Sequence, residues 1–303
     1  MGGVYENQGK YEMALEQFEK CLAIVIKALG EDHPNVATTY SNIADVYREQ
    51  GKHEMALELY KKSVAIKIKA LGEDHSQVAT THANIGLVYL QQGKYAMALE
   101  LYEECLAIKI KALGEDHPDV AATYNNIADV YAKQGKNEMA LEMFEKCLST
   151  QIKALGEDHP DVANTYNNMG LVYRKQGKYD MALELYKKCL AIRINALGED
   201  HPDVAGAYNN IARVYDEQGK NKMALELYEI SLASEIKALG EDHPFVAGTK
   251  RNMACLLHKQ GELARAGGLF RESAAIFSKM LGAEHEQTLN ALMGARHCEH
   301  GAA

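Results

Sequence analysis

Apolar side chains return along this chain in two alternating helical phases. Tyr40, Ile43, Ala44 and Tyr47 follow the i, i+3, i+4, i+7 spacing of one helical face. After a short polar break, Ala56, Leu59, Tyr60, Ser63 and Val64 do the same. The two segments predict amphipathic helices of about 15 and about 18 residues. The breaks between them are periodic. Gly9, Gly51, Gly93, Gly135, Gly177, Gly219 and Gly261 stand 42 residues apart, and so do Gly30, Gly72, Gly114, Gly156, Gly198, Gly240 and Gly282. These account for 14 of the 24 glycines, and all five prolines stand four residues after a glycine of the second set. Gly51 is expected to close the first helix in a left-handed turn, and Gly72 to close the second. The loop Glu73-Asp74-His75 offers capping side chains, and proline suits the first helical position. Each period is then a helical hairpin. Neither helix buries its stripe alone, so the hairpins must stack into a solenoid.

The period changes the domain arithmetic. A chain of 303 residues would ordinarily suggest two domains of about 150 residues each. Division by 42 predicts one all-α solenoid over residues 1–303 instead. Residues 1–34 form a partial first repeat. Six full hairpins follow at 35–76, 77–118, 119–160, 161–202, 203–244 and 245–285, and a degenerate terminal helix occupies 286–303. Residues 119–160 and 161–202 agree at 28 of 42 positions, which points to fairly recent duplication. Met1–Gln8 aligns with Ile43–Gln50, so the chain is expected to begin inside a repeat, as a fragment would.

Composition narrows the function. Hydrophobic residues at 47% and charged residues at 25% are globular proportions. A net charge of −9 argues against a general nucleic-acid binder. The apolar runs fall short of the roughly 18 residues a membrane span needs. Met1–Leu15 carries no signal-peptide pattern, Glu6 breaks the myristoylation motif, and Cys298 is too far from the end for prenylation. The six cysteines include no C-x-x-C pair and there is no N-x-Ser/Thr sequon, which fits a reducing cytoplasm.

With Tyr40 as position 4 of a unit, Ile43, Ala44, Tyr47, Ala56 and Tyr60 fall at positions 7, 8, 11, 20 and 24. This resembles the tetratricopeptide pattern, and it recurs in all six full hairpins. The period is longer than the usual one, and the usual proline near the end of the unit gives way to residues such as Ile68. The string Ala112–Ala121 followed by Tyr124–Asn126 is similar to the repeats of kinesin light chains and of nephrocystin-like proteins. The resemblance implies a right-handed superhelix of antiparallel helix pairs with a concave groove that binds protein partners in the cytoplasm. The heptad segment by which kinesin light chains hold the motor heavy chain is not seen, so motor association is not supported by the residues present.

In the resembled family, the side of the first helix opposite positions 4, 7, 8 and 11 lines the groove. Position 6 is asparagine in every full hairpin: Asn42, Asn84, Asn126, Asn168, Asn210 and Asn252. Position 5 adds Asn125, Asn167 and Asn209. Asparagine is a poor helix-interior residue, so this register needs a reason. One reading is an amide ladder that bonds the backbone of an extended peptide, since each amide both donates and accepts. The other is a structural asparagine copied by duplication, bonding between neighbouring helices. With helices about 8–10 Å apart and a peptide rise of about 3.3 Å, three hairpins hold roughly eight or nine peptide residues.

Groove positions 5, 9, 12 and 13 total +2 on this chain of −9, with Arg174, Lys175, Arg213, Arg251 and Lys259 among the cations. Leu171, with Leu87 and Leu90, offers apolar pockets. An acidic linear segment is therefore the expected partner, as the resemblance also implies. Position 2 reads Thr38, Thr80, Ala122, Asn164, Gly206 and Gly248, so the lysine–arginine carboxylate clamp of co-chaperone relatives is absent. A self-associating scaffold and the recognition arm of a larger signalling protein are the alternative readings.

Little argues for catalysis. Cys21, Cys105, Cys147 and Cys189 share position 27 and read as packed core thiols. His33, His75, His117, His159, His201, His243 and His285 recur once per repeat beside a helix start, too far apart to share one metal ion, and read as caps. His297, Cys298 and His300 lack a recognised ligand spacing. No phosphate-binding loop, zinc-protease motif or nucleophile elbow occurs, so no enzyme, cofactor or metal is expected.

Overall fold

The computed structural model describes residues 11–301, with side chains through Glu299. The mid-repeat start read at Met1–Gln8 lies outside the described residues, and so does the His300 side chain. Among the described residues there are fourteen α-helices and no strand. They fall into two compact units, Met1–Leu155 and Gly156–Ala303. The first contains α1 (Tyr11–Leu29), α2 (Pro34–Glu49), α3 (His53–Leu71), α4 (Ser76–Gln91), α5 (Tyr95–Leu113), α6 (Pro118–Lys133) and α7 (Asn137–Leu155). The second contains α8 (Pro160–Lys175), α9 (Tyr179–Leu197), α10 (Pro202–Glu217), α11 (Asn221–Leu239), α12 (Pro244–Lys259), α13 (Leu263–Leu281) and α14 (Glu286–Gly301). In each unit the helices pair into hairpins, α2 with α3 through α6 with α7, and α8 with α9 through α12 with α13. The second helix of one hairpin then packs on the first helix of the next, as α3 does on α4 and α9 on α10.

Local chemistry sets these boundaries. Each first helix opens on a histidine whose Nδ1 accepts the backbone N–H two residues on, at 3.1 to 3.2 Å, from His33 through His285. The imidazole thus satisfies one of the amides that a helix start leaves unpaired. At the other end, Gly51 has φ +71°, and the N–H of Lys52 reaches Tyr47 O at 2.8 Å. Gly72, at φ +89°, closes α3, with its N–H on Ile68 O at 2.9 Å. The helices run 16 and 19 residues, one longer than the hydrophobic spacing suggests, because the capping turns add helical residues.

The core of each hairpin is an aromatic ring at position 24. Tyr60, Tyr102, Phe144, Tyr186 and Tyr228 are all buried to within 1%. Position 8 of the facing helix is always small, and in two hairpins it is glycine. A Cβ on Gly86 would stand 2.9 Å from Tyr102 Cε1, and one on Gly170 would stand 2.8 Å from Tyr186 Cε1. These glycines cost helix propensity, and the ring packing accounts for them.

The thiol reading needs one correction. Cys105, Cys147 and Cys189 are buried, but Cys21 is exposed. It lies on α1, whose main contact is with α2 at the end of the described stack. Burial pushes the Cys189 thiol up to about 11, which keeps it protonated and unreactive.

Replacing Gly86 or Gly170 with Ala should destabilise the fold by about 1–3 kcal/mol in urea unfolding, because overpacking outweighs the helix preference of alanine. A variant at least as stable as the parent would contradict the ring contact.

Candidate functional site

In the second unit, the first helices α8, α10 and α12 carry the polar register read as a groove. The asparagines there bond to one another across helices. Asn210 Nδ2 donates to Asn167 Oδ1 at 2.8 Å, and Asn252 Nδ2 donates to Asn209 Oδ1 at 3.0 Å. Position 6 of one hairpin thus clamps position 5 of the hairpin before it. Asn167 also lies 3.5 Å from Asn168 Oδ1. These amides are half-buried, and Asn210 and Asn252 each retain a second N–H and an acceptor oxygen. In the first unit, Asn42, Asn84 and Asn126 are half-buried as well, but no cross-helix amide bond is available to Asn84 or Asn126. The Ser41 hydroxyl is engaged with Ser63 at 2.8 Å, and Ala83 has no acceptor. Asn125, also half-buried, lies beside Asn126 on α6.

The cations divide into two groups. Arg174 pairs with Glu217, and Lys259 pairs with Asp216 at 2.8 Å. Two of the charges counted toward a basic groove are therefore met by acids on α10, one helix along. Lys175 is exposed and Leu171 half-buried on α8. Arg213 and Arg251 have no carboxylate within 4 Å among the described residues, and Arg251 lies over the Phe277 ring, 6.0 Å from its centroid. Away from this face, lysines of the second helices meet the loop aspartates: Lys153 with Asp116 at 3.1 Å, Lys111 with Asp74 and Lys237 with Asp200. These pairs are more than 60% exposed and contribute about 0–1 kcal/mol each.

A cavity of about 690 Å³ opens between α10 and α12. Asn167, Asn209, Asn210, Arg213, Arg251 and Asn252 line it. Asn168, Leu171, Arg174, Lys175 and Lys259 do not. Its back wall comes from second helices: Arg193 of α9, Glu235 of α11 and Phe277 of α13. Sequence reasoning missed this wall because it considered only the first helices for binding. A signal was present: the shared register reads Lys67, Lys109, Gln151, Arg193, Glu235 and Phe277, so its charge changes from hairpin to hairpin.

Glu235 is 4% exposed and terminates a chain of donors. Asn252 donates to Asn209, Asn209 Nδ2 to Thr249 Oγ1 at 2.6 Å, and Thr249 Oγ1 to Glu235 Oε1 at 3.0 Å. Ser231 Oγ, which donates to Ala205 O at 2.9 Å, lies 3.3 Å from the same oxygen. Glu235 Oε2 is buried with no partner. Burial pushes this carboxyl above the usual glutamate range, against the lowering effect of the two hydroxyls. Among the described residues, no group of three or more His, Cys, Asp or Glu could hold a metal ion. Among the described residues, no helix is long and apolar enough to cross a membrane.

Comparison with known proteins gives a consistent picture. The tetratricopeptide repeat family matches residues 1–69, 35–111, 77–153, 119–195 and 161–234, and again 246–287. No curated protein matches the chain. A crystal structure of nearly identical TPR-like repeats from Podosopora anserina, assigned to the kinesin light chains, is 28% identical, with a TM-score of 0.59. The match covers 68% of this chain and 97% of that one. BtubC (BKLC) from P. vanneervenii is 22% identical over 76% of this chain and 89% of its own, with a TM-score of 0.62. A Rap protein complexed with competence and sporulation factor is 16% identical over 94% and 85%, with a TM-score of 0.58. At those identities the last two share the fold alone.

The raised carboxyl carries a pH consequence. The folded state holds the Glu235 proton to higher pH than the unfolded chain does, so its contribution to stability is full at low pH and fades as pH rises through the folded value. Glu235→Gln, which cannot ionise, should therefore gain stability over the parent progressively above the usual glutamate range, and gain least near pH 4. Thermal melts across pH check this, and a difference independent of pH would contradict the buried-carboxyl assignment.

Proposed function

Since the chain belongs to the tetratricopeptide repeat family, with repeats of the kinesin light chain-like type, we propose that its inner face captures an extended, acidic segment of a protein partner. Tetratricopeptide repeats are protein-interaction modules, and the fold is typically non-catalytic. The observation that carries the acidic preference is the cavity between α10 and α12, where Arg213 and Arg251 have no carboxylate partner. In water such guanidinium groups stay solvated, but beside a peptide they offer forked donors matched to carboxylates. The asparagines support the same reading. After their cross-helix bonds, Asn210 and Asn252 still have donors and an acceptor for a peptide backbone. The 42-residue period runs unbroken through the sequence, and the reading of residues 1–303 as one solenoid belongs to this proposal. So does a cytoplasmic location, which fits six free cysteines.

Calorimetric titration tests the role of the amides, using a nonapeptide of glutamates with both ends blocked. With Asn168, Asn210 and Asn252 changed together to Ala, affinity should fall by about tenfold or more, roughly 1.4 kcal/mol. Thermal melts of the same variant separate binding from the stability lost with the side-chain bonds of the three asparagines. A folded variant with unchanged affinity removes the amides from the recognition face.

A further inference from the structure

Two glycines at one shared register of the second unit have no explanation in the fold. Gly206 and Gly248 occupy the same position of α10 and α12, inside regular helix, and a Cβ on either would meet nothing within 4 Å. They differ in this from Gly86 and Gly170, which yield to tyrosine rings. A helix-interior glycine costs about 0.5–1 kcal/mol relative to alanine. Both line the 690 Å³ cavity. At the equivalent position of α8 stands Asn164, whose Oδ1 accepts from Arg193 Nη2 at 2.9 Å. Where α8 fills this space with a side chain, α10 and α12 leave it open.

The open space faces donors. Arg193 bonds Asn164 and, at 2.8 Å, the Asp203 backbone oxygen, so no carboxylate neutralises it. Arg213 and Arg251 are in the same condition among the described residues. The fourth group is Glu235. Its Oε1 is the end of the donor chain from Asn252 through Thr249, which makes Oε1 the acceptor oxygen of the pair. The buried Oε2 has no partner and is the oxygen left to carry a proton.

We propose that this cavity is a carboxylate-accepting pocket, in which Arg193, Arg213 and Arg251 take acidic side chains of the bound segment and Glu235 donates a hydrogen bond from Oε2. The pocket rests on the acidic-segment reading above and sharpens it to a location and a chemistry. Three guanidinium groups on three helices exceed what the two oxygens of one carboxylate satisfy, so the segment brings two or more acidic residues. Side-chain carboxylates are favoured over a chain terminus, because position 2 lacks the lysine of a terminal-carboxylate clamp.

Fluorescence titration of the full chain with four labelled nonapeptides tests this: blocked poly-glutamate, blocked poly-glutamine, blocked poly-lysine, and poly-glutamine with a free C-terminal carboxylate. The glutamate peptide should bind best. Gly206→Leu with Gly248→Leu fills the open space with a good helix former and should weaken it about tenfold or more, with thermal stability kept or raised. Arg213→Gln with Arg251→Gln should weaken it similarly. Glu235→Gln, which keeps a donor, should bind within about twofold of the parent at neutral pH. If the glutamate peptide binds and the leucine and arginine variants match the parent, the pocket is wrong while the acidic-segment reading stands. If glutamate binds no better than glutamine, both fall. Preference for lysine makes Glu235 an ionised counter-charge and overturns the pocket. Equal binding of the free-carboxylate peptide overturns the choice of side-chain carboxylates.

Discussion

A phenol or phenyl ring buried between the two helices of each hairpin is the contact on which the rest depends. Tyr60, Tyr102, Phe144, Tyr186 and Tyr228 have essentially no exposed surface, and each is worth several kcal/mol of apolar burial and packing. The ring sets how closely the first helix approaches the second. That spacing forces position 8 to be alanine or glycine, and it points positions 5 and 6 away from the core. The inner face then brings successive first helices close enough for Asn210 to reach Asn167 and Asn252 to reach Asn209. Polar residues that would weaken an isolated helix become cross-braces between helices.

This arrangement explains why the hairpins were legible from residue types alone. Breakers stand at fixed intervals, apolar positions follow one helical phase, and histidine sits at every first-helix start. Each of these signals is local, and each survives in the structure. The repeating histidines, read as caps from their spacing, use Nδ1 to hold the backbone N–H two residues on. The exposed Cys21 was not legible, because exposure depends on what packs beside α1 and not on the position it shares with Cys105.

The polar face was harder to read for a physical reason. Counting charges by register treats each side chain as if it faced solvent. In the folded unit, Arg174 and Lys259 are met by Glu217 and Asp216, and half of the amide chemistry goes into cross-helix bonds. What distinguishes Arg193, Arg213 and Arg251 is the lack of a carboxylate within 4 Å among the described residues, which only three-dimensional neighbours reveal. Glu235 lies on a second helix, at a register that holds lysine in two other hairpins, and burial there pushes its carboxyl above the usual glutamate range. Helix-interior glycines make the same point. Gly86 and Gly170 look like Gly206 and Gly248 in sequence, yet the first two are filled by rings and the second two open into a cavity.

The central claim is that packing consumes most of the polar inner face and leaves one donor-rich opening between α10 and α12 for acidic side chains. A crystal structure of the chain with the blocked glutamate nonapeptide tests it most directly. The account predicts peptide carboxylates within hydrogen-bond distance of the Arg213 and Arg251 guanidinium groups, with one oxygen on Glu235 Oε2 and peptide backbone beside Gly206 and Gly248. Peptide density on another face, with these arginines and Glu235 left without it, would contradict the claim.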